Sequence, residues 1–174
     1  RLTFPFRRYQ IQKVWRGERP QAGRFREFYQ CDIDIVGNGS LGLLNDAELP
    51  CVIHAIFSRI GIGRFRVRIN NRKILQGFLQ HLGVPPERSV AVLRSIDALD
   101  KVGRDPVLED LQQEAGMAAD QAAALVDFIS GPAELDRLRN RECGDLFARG
   151  VAELGEVAAG LAAHGIGTAR AFQV

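Results

Sequence analysis

Five side chains between positions 16 and 34 have the types and spacing to do chemistry: Arg16, Glu18, Phe28, Gln30 and Asp34. Arginine presents a planar fork of donors that grips phosphate through two bonds at once. Gln30 and Asp34 add groups of fixed hydrogen-bonding geometry. Phe28 stands amid these polar groups, where a solvated strand gains nothing from it but a stacked base would. Such a face suits a nucleotide. The competing reading is a one-sided antiparallel sheet whose polar face meets water; faces of that kind favour Lys, Thr, Glu and Ser, whereas this one is built almost wholly of Arg, Gln and Asp.

These residues share a face only if two strands position them. From Arg8 to Glu18, Tyr9, Ile11 and Trp15 alternate with Gln10, Gln12, Arg16 and Glu18, the period of two that marks a strand. Arg19 to Gly23, with Pro20, reads as a loop. The alternation then resumes, with Tyr29, Cys31, Ile33 and Ile35 on one face and Arg26, Phe28, Gln30, Asp32 and Asp34 on the other. An antiparallel hairpin is expected, its two polar faces side by side.

Leu49, Val52, Ile53, Ile56, Phe57 and Ile60 recur at helical spacing and predict a helix of about four turns backing the sheet. Asn45 and Glu48 resemble a capping box, with Pro50 delaying the start. Arg64 to Ile69 alternates again and predicts a third strand, Phe65, Val67 and Ile69 inward. Asn70, Asn71 and Arg72 read as the cap of a helix through Leu82, closed by Gly83. Beyond Pro86 only helical stripes are found: one at Val92 to Leu99, one opening at Asp105 as N-cap before Pro106, one at Ala122 to Ile129, and a longer one from Leu146 to Leu161. The fold class expected is α+β, with a helical second half.

A chain of 174 residues, 46% hydrophobic and 25% charged, has an ordinary globular composition. The net charge of +2 conceals a division. Residues 1–73 hold 14 Lys and Arg against 6 Asp and Glu, a surplus of eight positive charges; the remainder holds 9 against 15, a surplus of six negative ones. The first part is the one suited to phosphates. No apolar run approaches the roughly 20 residues of a membrane span, and no secretory signal pattern is present at the start, so a cytoplasmic location and no membrane partner are expected. Cys31, Cys51 and Cys143 are too scattered for a disulfide framework or a zinc site. His54 and His81 read as structural, and with His164 they lie far apart without ligand spacing, so no metal site is expected. The chain opens at Arg1 and enters a strand pattern almost at once, which reads as a piece of a longer protein.

The string R-G-E followed by R-F-R-E-F resembles motif 2 of class II aminoacyl-tRNA synthetases, and E-R-P-Q-A-G-R-F-R-E-F-Y-Q is similar to histidyl-tRNA synthetases. The similarity extends through I-N-N-R-K-I-L and K-V-G and covers most of the chain. It implies part of a class II antiparallel sheet over residues 1–73, a helical insertion domain over 74–165 and a return toward the catalytic domain over 166–174. It also implies roles. Arg16 would contact the α-phosphate of ATP and stabilise charge as the histidine carboxylate attacks, Glu18 would accept from the adenine amino group, Arg24 would hold the outer phosphates and Phe28 would stack on the ring. Gln30 and Asp34 would hold the substrate histidine. Mg²⁺ would accompany ATP, tRNA(His) would be the acceptor, and the parent would be a homodimer.

Motif 1, motif 3 and the segments R-G-L-D-Y-Y and G-G-G-R-Y-D of that family do not occur here, and the chain ends at Ala171 to Val174 about where R-G-L-D-Y-Y would follow. The isolated chain is therefore expected to lack ligase activity. Contacts with tRNA are expected at Arg19 in the hairpin loop and at the cluster Arg137, Arg139 and Arg141; the acidic second half argues against strong nonspecific RNA binding. Two alternatives stay open: a synthetase-like regulatory paralogue that senses histidine or tRNA without catalysis, and an RNA-interaction module.

Overall fold

The computed structural model describes residues 2–131 and 134–167. The chain is α+β. Strands β1 (Phe6–Trp15) and β2 (Glu27–Val36) form a two-stranded antiparallel sheet. Helices α1 (Leu44–Ile60), α2 (Arg72–His81), α3 (Ser89–Asp97), α4 (Leu99–Val102), α5 (Arg104–Gln113), α6 (Ala119–Ser130), α7 (Leu135–Arg139) and α8 (Asp145–Ala163) follow, with a 3₁₀ turn at Pro86–Arg88 before α3. Residues 168–174, most of the expected return segment, lie outside the described residues.

The ladder pairs Phe6 with Val36 and runs without a bulge to Trp15 opposite Glu27. Below it the chain narrows to a turn in which Gln21 and Arg24 exchange backbone hydrogen bonds of 3.1 and 2.9 Å. Gly23 holds φ at 74° in that turn, a left-handed value that a side chain resists.

The main core belongs to the helices. Ile74, Val92, Val107, Leu111, Leu125 and Phe147 are fully buried. Phe78 stacks on Phe128 with ring centroids 4.0 Å apart, and Phe147 tilts against Phe128 at 6.0 Å. Two close backbone approaches set this packing. A β-carbon at Gly77 would fall on the Phe147 backbone, 2.7 Å from its Cα, and one at Gly150 would meet the Ile74 nitrogen at 2.8 Å. Glycines on both helices thus let α2 and α8 touch backbone to backbone. The start of α2 is locked to the same helix: Asn71 Oδ1 accepts from the Lys73 amide at 2.9 Å, while Asn71 Nδ2 donates to Glu153 at 2.8 Å and Lys73 Nζ donates to the other Glu153 oxygen. The Lys73 bond, then the Asn71 bond, hold the Glu153 carboxyl below the ordinary value of 4.5.

Four expectations are corrected. The helix meant to back the sheet packs instead on α8, where Ala47 meets Gly160 (an added β-carbon there would lie 2.8 Å from Ala47 Cβ) and shares a small core with Val157 and Leu161. The apolar hairpin face is consequently uncovered among the described residues: Tyr9 is 77% and Trp15 69% exposed. Residues 64–69 form no strand, because neither hairpin edge runs beside them and an extended segment without a neighbour has no ladder. Asn45 and Glu48 make no capping box. Helix α1 starts at Leu44 with Pro50 inside it, Asn45 Nδ2 donates back to the Gly42 carbonyl at 2.8 Å, and Glu48 is taken by an arginine of β1. Asp105 lies within the first turn of α5, whose cap is Gly103 at φ 84°.

The close approach of α2 to α8 predicts opposite outcomes for like substitutions. Alanine in place of glycine adds about 1 kcal/mol of helix propensity, but at Gly77 the new methyl strikes backbone, an overpacking that costs about 1–3 kcal/mol or more. At Gly155 its nearest neighbour is the mobile end of Arg139, 3.0 Å away. Urea unfolding is expected to show Gly77→Ala destabilised and Gly155→Ala unchanged or slightly more stable; equal shifts would contradict the packing described.

Candidate functional site

The site is built on the even-numbered face of the hairpin. Along β1 this face carries Arg8, Gln10, Gln12 and Val14, and along β2 it carries Phe28, Gln30, Asp32 and Asp34, each opposite its partner: Arg8 to Asp34, Gln10 to Asp32, Gln12 to Gln30, Val14 to Phe28. Phe28, Gln30, Asp32 and Asp34 are all partly buried, whereas Tyr29 and Cys31 between them are exposed. The polar face is therefore the more covered one, because its own long side chains lie across it.

At the loop end, Arg16 continues the ladder by donating its amide to the Arg26 carbonyl at 2.8 Å. Its guanidinium carbon lies 4.6 Å from the centre of the Phe28 ring, a cation–π distance. Glu18 pairs with Arg24 at 2.5 Å, and Arg26 Nε donates to the Glu18 carbonyl at 3.3 Å. Arg16, Glu18, Arg24 and Phe28 are thus gathered at one end. Gln30 and Asp34 lie further along the same strand. At about 3.4 Å per residue, Phe28 and Asp34 are separated by roughly 20 Å, enough for a nucleotide and an amino acid in line.

The arrangement suits anions at one end and a cation at the other. The loop end holds Arg16, Arg19, Arg24 and Arg26 with Glu18 as the lone carboxylate from 16 to 26; the far end holds Asp32 and Asp34 against Arg8. No group of three or more His, Cys, Asp or Glu side chains converges to hold a metal among the described residues. The described residues thus supply no ready-made carboxylate cage for a divalent cation.

The expected tRNA-facing arginines of the helical half are differently engaged. Arg137 pairs with Glu134 at 3.3 Å and Arg139 with Asp136 at 3.1 Å. Arg141 lies over the rings of Phe128 and Phe78, at 5.2 and 5.9 Å. Arg19 is exposed in the hairpin loop. The histidines take structural contacts: His54 against Phe65, His81 against Phe78, and His164 Nδ1 against the Gly160 carbonyl.

Sequence reasoning did not single out Arg8, Gln10, Gln12 or Asp32 as site residues. The signal for them was present. Extending the period of two to the start of β1 puts Arg8 on the face, and the hairpin register sets it opposite Asp34. The anchor of the hairpin was also unread: Arg7, on the opposite face, donates from Nε and Nη2 to the two oxygens of Glu48 at 2.6 Å each, tying β1 to α1.

Comparison with known proteins gives the family of the chain. The family profile described as Histidyl-tRNA synthetase matches residues 3–172. The chain is 48% identical over 167 residues to the histidine–tRNA ligase of Xanthomonas oryzae pv. oryzae (strain PXO99A), covering 90% of this chain and 36% of that protein. It is 47% identical over 161 residues to that of Clostridium tetani, with the same coverage. The chain thus spans little more than a third of the length of these relatives. A crystal structure of histidyl-tRNA synthetase from Nostoc sp. PCC 7120 superposes with a TM-score of 0.85 at 38% identity, over 95% of this chain and 39% of that one. A structure described as an ATP phosphoribosyltransferase regulatory subunit/histidyl-tRNA synthetase from Bacillus halodurans C superposes at 0.72 with 18% identity, over 94% of this chain and 42% of that one, a likeness of fold.

The Arg7 contact, first through its hydrogen bond and then through its charge, holds the Glu48 carboxyl below the ordinary 4.5. A depressed carboxylate pKa contributes above the unfolded value and is lost as pH falls through the lower folded one. Hydrogen-exchange protection factors of β1 and β2 are accordingly expected to drop below about pH 4.5 in the unsubstituted chain, and Glu48→Gln should show the loss already at neutral pH. Identical pH profiles for the two proteins would contradict the anchor.

Proposed function

The chain belongs to the histidyl-tRNA synthetase family, and on that premise we propose that it carries part of the active site of a cytoplasmic, homodimeric histidine–tRNA ligase. Such an enzyme joins histidine to ATP as histidyl-adenylate and passes the histidyl group to tRNA(His). The observation that carries the reading is the shared face: Arg16 and Phe28 packed together at the loop end of an unbroken ladder, with Gln30 and Asp34 further along it.

In this reading a histidine carboxylate oxygen attacks the α-phosphorus of ATP and pyrophosphate leaves. Negative charge on the α-phosphate oxygens grows during that step. Arg16, held at its backbone by Arg26 and along its side chain by Phe28, supplies fixed positive charge there, the preorganised stabilisation that contributes most in reactions of this type. Phe28 offers its ring to the adenine, and Glu18 accepts from the adenine amino group. Arg24 turns to the outer phosphates, so the triphosphate competes with Glu18 for it and frees that carboxylate for the base. Gln30 and Asp34 orient the amino acid, with Asp34 opposing the positive charge of its ammonium or imidazole. Mg²⁺ would accompany the triphosphate and offset part of its charge when bound. The tRNA contacts assigned to the chain are Arg19 beside the phosphate end and Arg137, Arg139 and Arg141 near α7.

The alternative of a non-catalytic regulatory paralogue that senses histidine or tRNA draws on the fold shared with the Bacillus halodurans C structure alone. Retention of Arg16, Glu18, Arg24 and Phe28 as a set favours catalysis, since a sensor has no need of a phosphate-gripping group.

Histidine-dependent exchange of pyrophosphate into ATP, measured on the full-length protein, tests the proposal. Arg16→Ala is expected to lower the rate by about 10²- to 10³-fold, the scale for loss of one such donor, and the 174-residue chain alone is expected to give no exchange. An unchanged rate in Arg16→Ala would contradict the assignment.

A further inference from the structure

Arg8, a charged group of the polar face, is used by none of the proposed contacts. Arg8 stands directly across the ladder from Asp34. Its Nη2 lies 2.5 Å from Asp34 Oδ2 and 3.9 Å from Asp32 Oδ2, and its Nη1 donates to Gln10 Oε1 at 3.1 Å. That same amide oxygen accepts from Gln12 Nε2 at 3.4 Å. A row of side chains on β1 therefore braces one guanidinium against two carboxylates on β2.

The charge balance of this group is specific. Asp32 and Asp34 are two residues apart on one strand face, with backbones about 7 Å apart, so two uncompensated carboxylates would repel each other and draw in more than one cation. With Arg8 between them the trio carries a single net negative charge. One ammonium or one imidazolium needs no more. The single contact between Arg8 Nη2 and Asp34 Oδ2 also favours one placement of that charge, across the ladder from Arg8.

We propose that Arg8 is a positioning residue for the amino-acid substrate, which pins the Asp34 carboxylate and cancels one of the two negative charges beside it. The inference rests on the reading that Asp34 meets the substrate histidine. Arg8 itself touches neither ATP nor the reacting atoms, so its removal changes how the amino acid is held and leaves the chemical step alone.

Pyrophosphate exchange by the full-length protein, with histidine and ATP varied separately, separates these roles. Arg8→Gln is expected to raise the KM for histidine about tenfold, the scale for one hydrogen bond to a charged group, with the KM for ATP and kcat unchanged. Arg8→Lys should recover most of the loss. Adding Asp32→Asn to Arg8→Gln should recover part of it by restoring a single net charge, an effect no purely structural role would give. An unchanged histidine KM in Arg8→Gln while Asp34→Asn raises it would overturn the role of Arg8 alone. Silence of both variants would overturn the reading of Asp34 and this proposal with it. Parallel losses in kcat and both KM values would make Arg8 a structural residue and equally overturn the proposal.

Discussion

The backbone contact between α8 and its neighbours is the constraint on which the rest depends. A hairpin of two strands is at best marginal in water on its own, and here its apolar side is uncovered among the described residues. Its position is set from outside. Gly77 and Gly150 bring α2 onto α8, Gly160 admits Ala47 of α1 to the same helix, and Glu48 of α1 reaches Arg7 of β1. Two chemically different contacts in series, glycine-permitted close packing and one bidentate ion pair, thus connect the helical core to the strand that carries the site.

Arg7 and Arg8 divide two tasks between the two faces of one strand. Successive side chains point oppositely, so one guanidinium holds the sheet to α1 and the next lies over the carboxylates of β2. The same alternation places Arg16 over Phe28 and keeps Trp15 on the other side, where its Nε1 donates to Glu27 at 3.0 Å. Ordinary β geometry separates the anchoring face from the face of the candidate site without any irregularity in the ladder.

Local signals in the sequence located what is local. The period of two marked both strands and the face holding Arg16, Phe28, Gln30 and Asp34, and Asn71 was readable as the cap of α2 because an asparagine before a helical stripe has one favourable use. Signals that depend on a distant partner misled. Arg64 to Ile69 alternates as a strand does, yet has no neighbour to pair with among the described residues. Glu48 looks like half of a capping box, but a bidentate arginine is the stronger partner. The helix expected behind the sheet went to α8 because Gly160 offers Ala47 a closer fit than the flat side of a hairpin. Arg8 was overlooked because its meaning comes from the cross-strand register and not from its own neighbours in sequence.

The central claim is that the even face of the hairpin holds nucleotide and amino acid end to end. A crystal structure of the full-length protein with ATP and histidine measures this directly. The account predicts the adenine on the Phe28 ring, the α-phosphate within about 3 Å of the Arg16 guanidinium, and the histidine ammonium or imidazole beside Asp34. A nucleotide bound elsewhere, with the Arg16–Phe28 pair and the Glu18–Arg24 pair left as they stand, would contradict it.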